Sequence, residues 1–284
     1  MPELPEVEVL VRHLRPLLKG KVVQGVKVHR ARVLGPTPRR TFSATLRGAR
    51  FGGVSRRGKY ILFQLRRRSG KQACLLIGHL GMTGRMYLQA RDRLLPKHTA
   101  VVLNLRKQEF IFEDTRYFGK LTLDRRGVER LGPEPLESEF TAEIFGRTLK
   151  RSRQAIKVKL LDQSVVAGMG NIYASEALFR AGISPKRAAC RLGIEAVTKL
   201  WRAIREVLTE AVEFGSTVPL RYDGKEKRDG VFYFGQDQNT RDYYEEHLRV
   251  YDREGQPCAT CGAKIKRVVQ AARSTFYCPK CQPS

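Results

Sequence analysis

The sequence predicts an α+β protein of more than one domain, and three observations carry that prediction. An amphipathic helix opens the chain. Short strand-like segments then follow one another closely, with no helices between them. Beyond a Gly-Pro-Glu-Pro break at 132–135 the pattern turns helical, and it ends in two cysteine pairs. A chain of 284 residues has material for one or two domains with proper cores.

Leu4, Val7, Leu10, Val11, Leu14, Leu17 and Leu18 recur at helical spacing and Gly20 follows. A helix is therefore expected from Glu3 to Leu18, with Pro16 disturbing its last turn. Strands are expected at Val22–His29, Thr45–Val54, Tyr60–Leu65, Ala73–His79, Ala100–Leu105, Phe110–Glu113 and Lys120–Asp124. Without crossover helices these must pair antiparallel, as a sandwich or a barrel. Pro133 and Pro135 mark 133–139 as a stiff linker after a domain over 2–132. In the second half, Glu195–Phe214 carries Val197, Leu200, Trp201, Ile204, Val207, Leu208, Ala211 and Val212 on one face. Gly215 is its expected stop and Trp201 an expected core residue.

Lys and Arg number 54 against 28 Asp and Glu, a formal charge of +26. That excess exceeds what solubility requires and predicts a polyanionic partner. Apart from Arg66-Arg67-Arg68 and Lys150-Arg151 the charge is dispersed, which suits a folded groove better than a disordered tail. No apolar stretch reaches membrane-spanning length and no signal peptide is read before Pro2, so a cytoplasmic protein without a membrane partner is expected. Cys74 and Cys190 stand alone, whereas four cysteines cluster near the end, a pattern for a reducing compartment with metal.

Four stretches carry chemistry. The chain begins Met1-Pro2-Glu3-Leu4-Pro5-Glu6. Removal of an initiator methionine before a small residue would leave Pro2 with a free secondary amine, a nucleophile that becomes an iminium electron sink on attacking an aldehyde-like carbon. Glu3 beside it and Glu6 one helical turn on suit general acid–base work. The same residues would also serve as the first turn of a capped helix. Cys258-x2-Cys261-x16-Cys278-x2-Cys281 has four-thiolate zinc spacing. The intervening arm fits a β-hairpin with strands near Lys264–Gln270 and Thr275–Tyr277, and four thiolates leave the ion structural.

Between Ala155 and Gly182 an apolar helix meets Gly168-Met169-Gly170-Asn171 before a second helix begins. Glycines permit close backbone approach there, and Asn171 at a helix start offers amide donors to a phosphate or caps an ordinary turn. Arg153 and Lys157 upstream are either groove cations or solvated charge. Arg56-Arg57-Gly58-Lys59-Tyr60 is a basic turn entering a strand.

The opening string, the 155–182 segment and the finger together resemble the formamidopyrimidine-DNA glycosylase family, which includes endonuclease VIII, and the resemblance spans the chain. It implies an N-terminal β-sandwich flanked by helices, then a helix–two-turns–helix domain over 140–217 and a β-hairpin zinc finger over 248–284. It implies a monomeric bacterial base-excision repair enzyme, a bifunctional glycosylase and abasic-site lyase acting on damaged double-stranded DNA, with one structural zinc ion. On this resemblance Pro2 is the nucleophile and Glu3 the acid, Lys59 holds a phosphate and assists elimination, and Asn171 and Arg273 hold phosphates beside the lesion. Met82, in His79-Leu80-Gly81-Met82-Thr83-Gly84, matches the family's wedge methionine. Arg116 and Phe118, in Asp114-Thr115-Arg116-Tyr117-Phe118-Gly119, match its companions, and His98 matches a further DNA contact. An apolar wedge and a donor for the orphaned base suit an enzyme that extrudes a nucleotide. This trio favours the branch acting on oxidised purines over the endonuclease VIII branch acting on oxidised pyrimidines. A non-catalytic zinc-ribbon DNA binder is the rival from another class.

Three departures stand out. Thr115 occupies a place where proline is usual, and Ala272 one where glycine is common. The stretch 218–247 is unusually long, with Tyr222, Phe232, Tyr233, Phe234, Tyr243 and Tyr244 among three glycines. It is read as a lesion-capping loop, with a tethered surface loop as the alternative.

Overall fold

A computed structural model describes residues 2–66, 73–217 and 247–283. The chain forms two compact units. Pro2 and Glu6–Glu129 belong to the first, while Glu3–Pro5 and Arg130–Thr217 belong to the second together with 247–283. The proposed capping loop, and Arg67 and Arg68 of the basic run, lie outside the described residues.

Helix α1 runs Leu4–Leu18 and buries Leu4, Val7, Leu10, Val11, Leu14 and Leu18. Leu17, expected on that face, is 40% exposed. Pro16 sits inside the helix without ending it; so close to the C-terminus, proline forfeits one backbone bond and little else.

The first unit carries β1 (Gly25–Val28), α2 (Arg39–Leu46), β2 (Arg50–Arg57), β3 (Tyr60–Arg66), β4 (Ala73–His79), β5 (Gly84–Ala90), β6 (Thr99–Asn104), β7 (Gln108–Asp114), β8 (Lys120–Thr122) and the short α3 (Arg126–Glu129). They make two antiparallel four-stranded sheets, ordered β1-β6-β7-β5 and β2-β3-β4-β8. Two separate sheets decide for a sandwich over a barrel. Side chains from facing strands interleave between them: the Phe63 and Phe110 rings meet edge to face at 5.5 Å. At Gly78 the approach is closer still, since an added Cβ would lie 2.9 Å from the Met86 methyl.

Two expectations fail in this unit. The strand expected over Thr45–Val54 begins at Arg50, because Thr45 and Leu46 close α2 and Gly48 turns the chain at φ +80°. Strand β5 was not anticipated: its burial does not alternate, with Met86, Tyr87 and Leu88 all buried in succession.

The second unit holds α4 (Ala142–Lys150), α5 (Ile156–Leu160), α6 (Asn171–Arg180) and α7 (Ile194–Thr217), then the hairpin β9 (Lys266–Gln270) and β10 (Arg273–Tyr277). Thr141 caps α4, its hydroxyl accepting the Ile144 N–H. Helix α7 passes through Gly215 instead of stopping there. Trp201 is half-buried, not core: its indole N–H donates to the Phe140 carbonyl at 2.6 Å. One turn on, the Arg205 guanidinium donates to the carbonyls of Pro135, Leu136 and Glu137. These bonds fasten the proline-rich segment along α7.

Candidate active site and zinc hairpin

In the second unit, Glu3 is 1% exposed and lies at the start of α6. Its carboxylate accepts the N–H of Ile172 at 2.9 Å and of Tyr173 at 3.4 Å. A helix leaves its first amides unpaired and electropositive, so a carboxylate from another segment is well placed there. Gly170 makes room for it. Its φ of −137° suits any residue, but an added Cβ would fall 2.3 Å from the Glu3 carboxyl carbon. The Leu4 N–H donates to the Gly168 carbonyl at 3.1 Å, so the turn between α5 and α6 grips the residues that follow Pro2.

Glu3 thus occupies two of the α6 amides, those of Ile172 and Tyr173, and the Asn171 side chain is oriented by its neighbours. Asn171 Oδ1 accepts from Lys157 Nζ at 2.7 Å, and Nδ2 donates to the Ser274 carbonyl at 2.8 Å. The same amide opposes the rise that burial gives the Tyr251 hydroxyl pKa. Lys157 is fully buried, so the solvated-charge reading fails. Burial above all lowers its pKa to about 8; the Glu3 charge opposes that shift and Arg273 adds to it. Arg153 and Arg273 are exposed.

The finger hairpin turns on two residues, Ala271 and Ala272, at φ +48° and +59°. Below it the four cysteine sulfurs lie within 4.8 Å of one another, Cys258 3.9 Å from Cys281 and Cys261 3.4 Å from Cys278. Tetrahedral zinc with Zn–S bonds of about 2.3 Å sets its sulfurs about 3.8 Å apart, so the four fit the ion. Val250, Ile265 and Phe276 pack around them, with Tyr251 against Phe276 at 5.2 Å. Glu176 on α6 fixes the entry to this module. Its buried carboxylate accepts three successive amides, those of Arg249, Val250 and Tyr251, at 2.8–3.0 Å. Burial pushes its pKa up and the amides pull it back.

In the first unit, Lys59 follows the tight turn at Gly58 and is only 7% exposed. His79, across the β3–β4 ladder from Tyr60, packs on that ring at 4.8 Å. Burial, helped by the Lys59 charge, lowers its pKa to about 4, so the ring is neutral at pH 7. Its Nδ1 accepts the Gly81 N–H at 3.0 Å, which places the proton on Nε2. Glu6 is 2% exposed, and Pro2 and His98 are half-buried. Met82 and Phe118 are 44% and 47% exposed, unusual for large apolar side chains. Arg116 joins them: its Nη1 lies 3.3 Å from Met82 Sδ, and its guanidinium sits 4.9 Å from the Phe118 ring centre. The sequence reading missed His79, Asp114, Glu176 and Tyr251. Each lies within or beside a motif it singled out or in a buried carboxylate, but only their contacts mark them.

An exposed Met82–Arg116–Phe118 cluster on the sandwich, a helix pair seated on the residues after Pro2, and a four-cysteine hairpin are the features of a base-excision DNA glycosylase with a zinc finger. Family models agree along the chain: the formamidopyrimidine-DNA glycosylase N-terminal domain matches 1–121, its H2TH domain 131–220, and the zinc finger found in FPG and IleRS 255–283. The formamidopyrimidine-DNA glycosylase of Desulfitobacterium hafniense is 41% identical over 99% of this chain and 100% of its own. The Lactococcus lactis formamidopyrimidine-DNA glycosylase, solved non-covalently bound to DNA containing an abasic site, superposes with a TM-score of 0.84 at 30% identity, covering 99% and 100% of the two chains. MutM in complex with DNA containing carbocyclic 8-oxoguanine gives 0.85 at 30%, over the whole of both chains. The chain belongs to the formamidopyrimidine-DNA glycosylase family. Among the described residues no helix is long and apolar enough to cross a membrane.

Proposed function

We propose that this protein excises oxidised purines, 8-oxoguanine and formamidopyrimidines, from double-stranded DNA and then cuts the strand, using the amine of Pro2. With Met1 removed, the neutral amine attacks C1′ of an extruded nucleotide and the damaged base departs. Glu3 delivers a proton to the sugar ring oxygen as the ring opens, and Glu6 assists proton movement. The iminium acidifies the C2′ proton. Loss of that proton expels the 3′ phosphate, and a second elimination expels the 5′ phosphate. Lys59, Asn171 and Arg273 hold phosphates, with Lys157 behind Asn171 as a groove cation that aligns its amide. Arg153 and His98 lie further along the duplex, and Met82, Arg116 and Phe118 fill the vacated space. Zinc, held by Cys258, Cys261, Cys278 and Cys281, orders the hairpin bearing Arg273 and takes no part in the chemistry.

The observation that carries this reading is the buried Glu3 carboxylate seated on the amides of α6, which fixes an acid directly beside Pro2 in the chain. The exposed trio Met82, Arg116 and Phe118 favours oxidised purines over pyrimidines. A DNA substrate and a four-thiolate zinc site suit the bacterial cytoplasm. Borohydride reduction during reaction with an 8-oxoguanine duplex should trap one covalent complex whose tryptic peptide begins at Pro2. No trapping, or trapping elsewhere, would overturn the amine mechanism.

A further inference from the structure

The exposed trio comes from two loops that are separate in sequence. Residues 80–83 present Met82 between β4 and β5, and residues 115–119 present Arg116 and Phe118 between β7 and β8. One carboxylate, Asp114, fully buried at the end of β7, serves both. Its Oδ1 accepts the Thr83 hydroxyl at 2.5 Å and the Arg116 N–H at 3.1 Å, and its Oδ2 accepts the Gly119 N–H at 2.7 Å. The Thr83 oxygen also accepts the Arg116 N–H, at 3.3 Å. The loop backbones touch as well: Gly81 sits at φ +61°, and a Cβ there would be 2.6 Å from the Gly119 nitrogen.

We infer that Thr83 is a positioning residue that locks the two loops into a single probe, so that Met82 and Arg116 enter the duplex together. The inference rests on the reading of Met82, Arg116 and Phe118 as duplex probes. Physically, Asp114 binds its own loop through backbone amides alone. The Thr83 hydroxyl is the one side chain of the Met82 turn that the described contacts bring to that carboxylate. A charge-assisted hydrogen bond to a buried carboxylate is strong and directional. Removing it leaves each loop its own backbone bonds but frees their relative motion.

The test compares the full-length enzyme with Thr83→Val, which keeps the shape and loses the hydroxyl, and Thr83→Ser, which restores it. Single-turnover excision of 8-oxoguanine from a fully paired duplex should fall about tenfold in Thr83→Val, the loss of one charge-assisted bond during extrusion, and recover in Thr83→Ser. Cleavage of an abasic site facing a one-nucleotide gap, where no orphaned base must be met, should change less than twofold, roughly within the spread of surface substitutions. A double-mutant cycle between Met82→Ala and Arg116→Ala should show coupling with Thr83 present and additivity in Thr83→Val. Unchanged paired-duplex excision, equal loss on both substrates, or undiminished coupling would each overturn the lock. If Met82→Ala alone leaves the otherwise wild-type enzyme unaffected, the probe reading itself falls, and the lock with it.

Discussion

Lys157 places its ammonium 2.7 Å from Asn171 Oδ1 in a position closed to solvent, with its pKa lowered to about 8. A fully buried lysine is normally a liability. Here it aligns the amide that the mechanism assigns to phosphate, and it loses its proton within reach of physiological pH.

A phosphate beside Lys157 would restore the ammonium, so binding should take up protons just above that pKa. With duplex containing a tetrahydrofuran abasic analogue at pH 8.5, calorimetry in buffers of different ionisation enthalpy should register uptake of up to about 0.7 proton that Lys157→Met abolishes. The sign for stability is also set. The folded state binds fewer protons than the unfolded between about pH 8 and the ordinary lysine value, so stability rises with pH in that window. The cost of the buried charge, on the order of 3 kcal/mol, is fully present below it. The melting advantage of Lys157→Met at pH 7 should therefore shrink by pH 10. An advantage independent of pH would rule the assignment out.

Gly170→Ala separates the position of Glu3 from the integrity of the fold. The added methyl meets the end of a flexible side chain, and the backbone conformation at 170 suits alanine. The carboxylate should leave the α6 amides while the protein stays folded and keeps its zinc. Base excision should fall by roughly two orders of magnitude, the scale on which general acid catalysis acts. Cleavage of a pre-formed abasic site, where the aldehyde is already available, should fall less. Equal loss on both substrates would contradict the role given to Glu3.

The hairpin turn at Ala271–Ala272 carries avoidable strain. Left-handed geometry costs a residue with a Cβ about 1 kcal/mol or more, and two-residue turns of this kind prefer glycine at the second place. Ala272→Gly should slow the release of zinc to a chelator and lower the zinc dissociation constant about fivefold, since hairpin closure and metal binding are linked. Cys278→Ser in the same assay should fail to retain zinc and weaken DNA binding broadly. Zinc release from Ala272→Gly no slower than from wild type would mean that the turn does not limit the site.

The start of the chain, the cysteine spacing and the 155–182 segment were legible because each needs particular residue types at fixed spacing. The helix α1 and most sandwich strands followed from periodicity. Strand β5 did not, because residues buried from both sides lose their alternation. The need for glycine at 170 could not be read either, since its reason is a carboxylate 167 residues away in sequence, at Glu3. The burial of Lys59 and Lys157 was equally hidden: a charged residue in a basic run looks solvated until the fold covers it. Ala272 was noticed as a departure, and its backbone angle now explains why glycine belongs there.

Glu176 has one further implication, for how this chain tolerates change. It captures residues 249–251 through their amides and not their side chains, so this anchor does not depend on which non-proline residues stand there, while Val250 and Tyr251 pack separately on the finger core. Insertions or deletions upstream, in 218–246, leave the same docking point for the chain to find. That stretch could thus be lengthened or rebuilt without renegotiating where the finger stands.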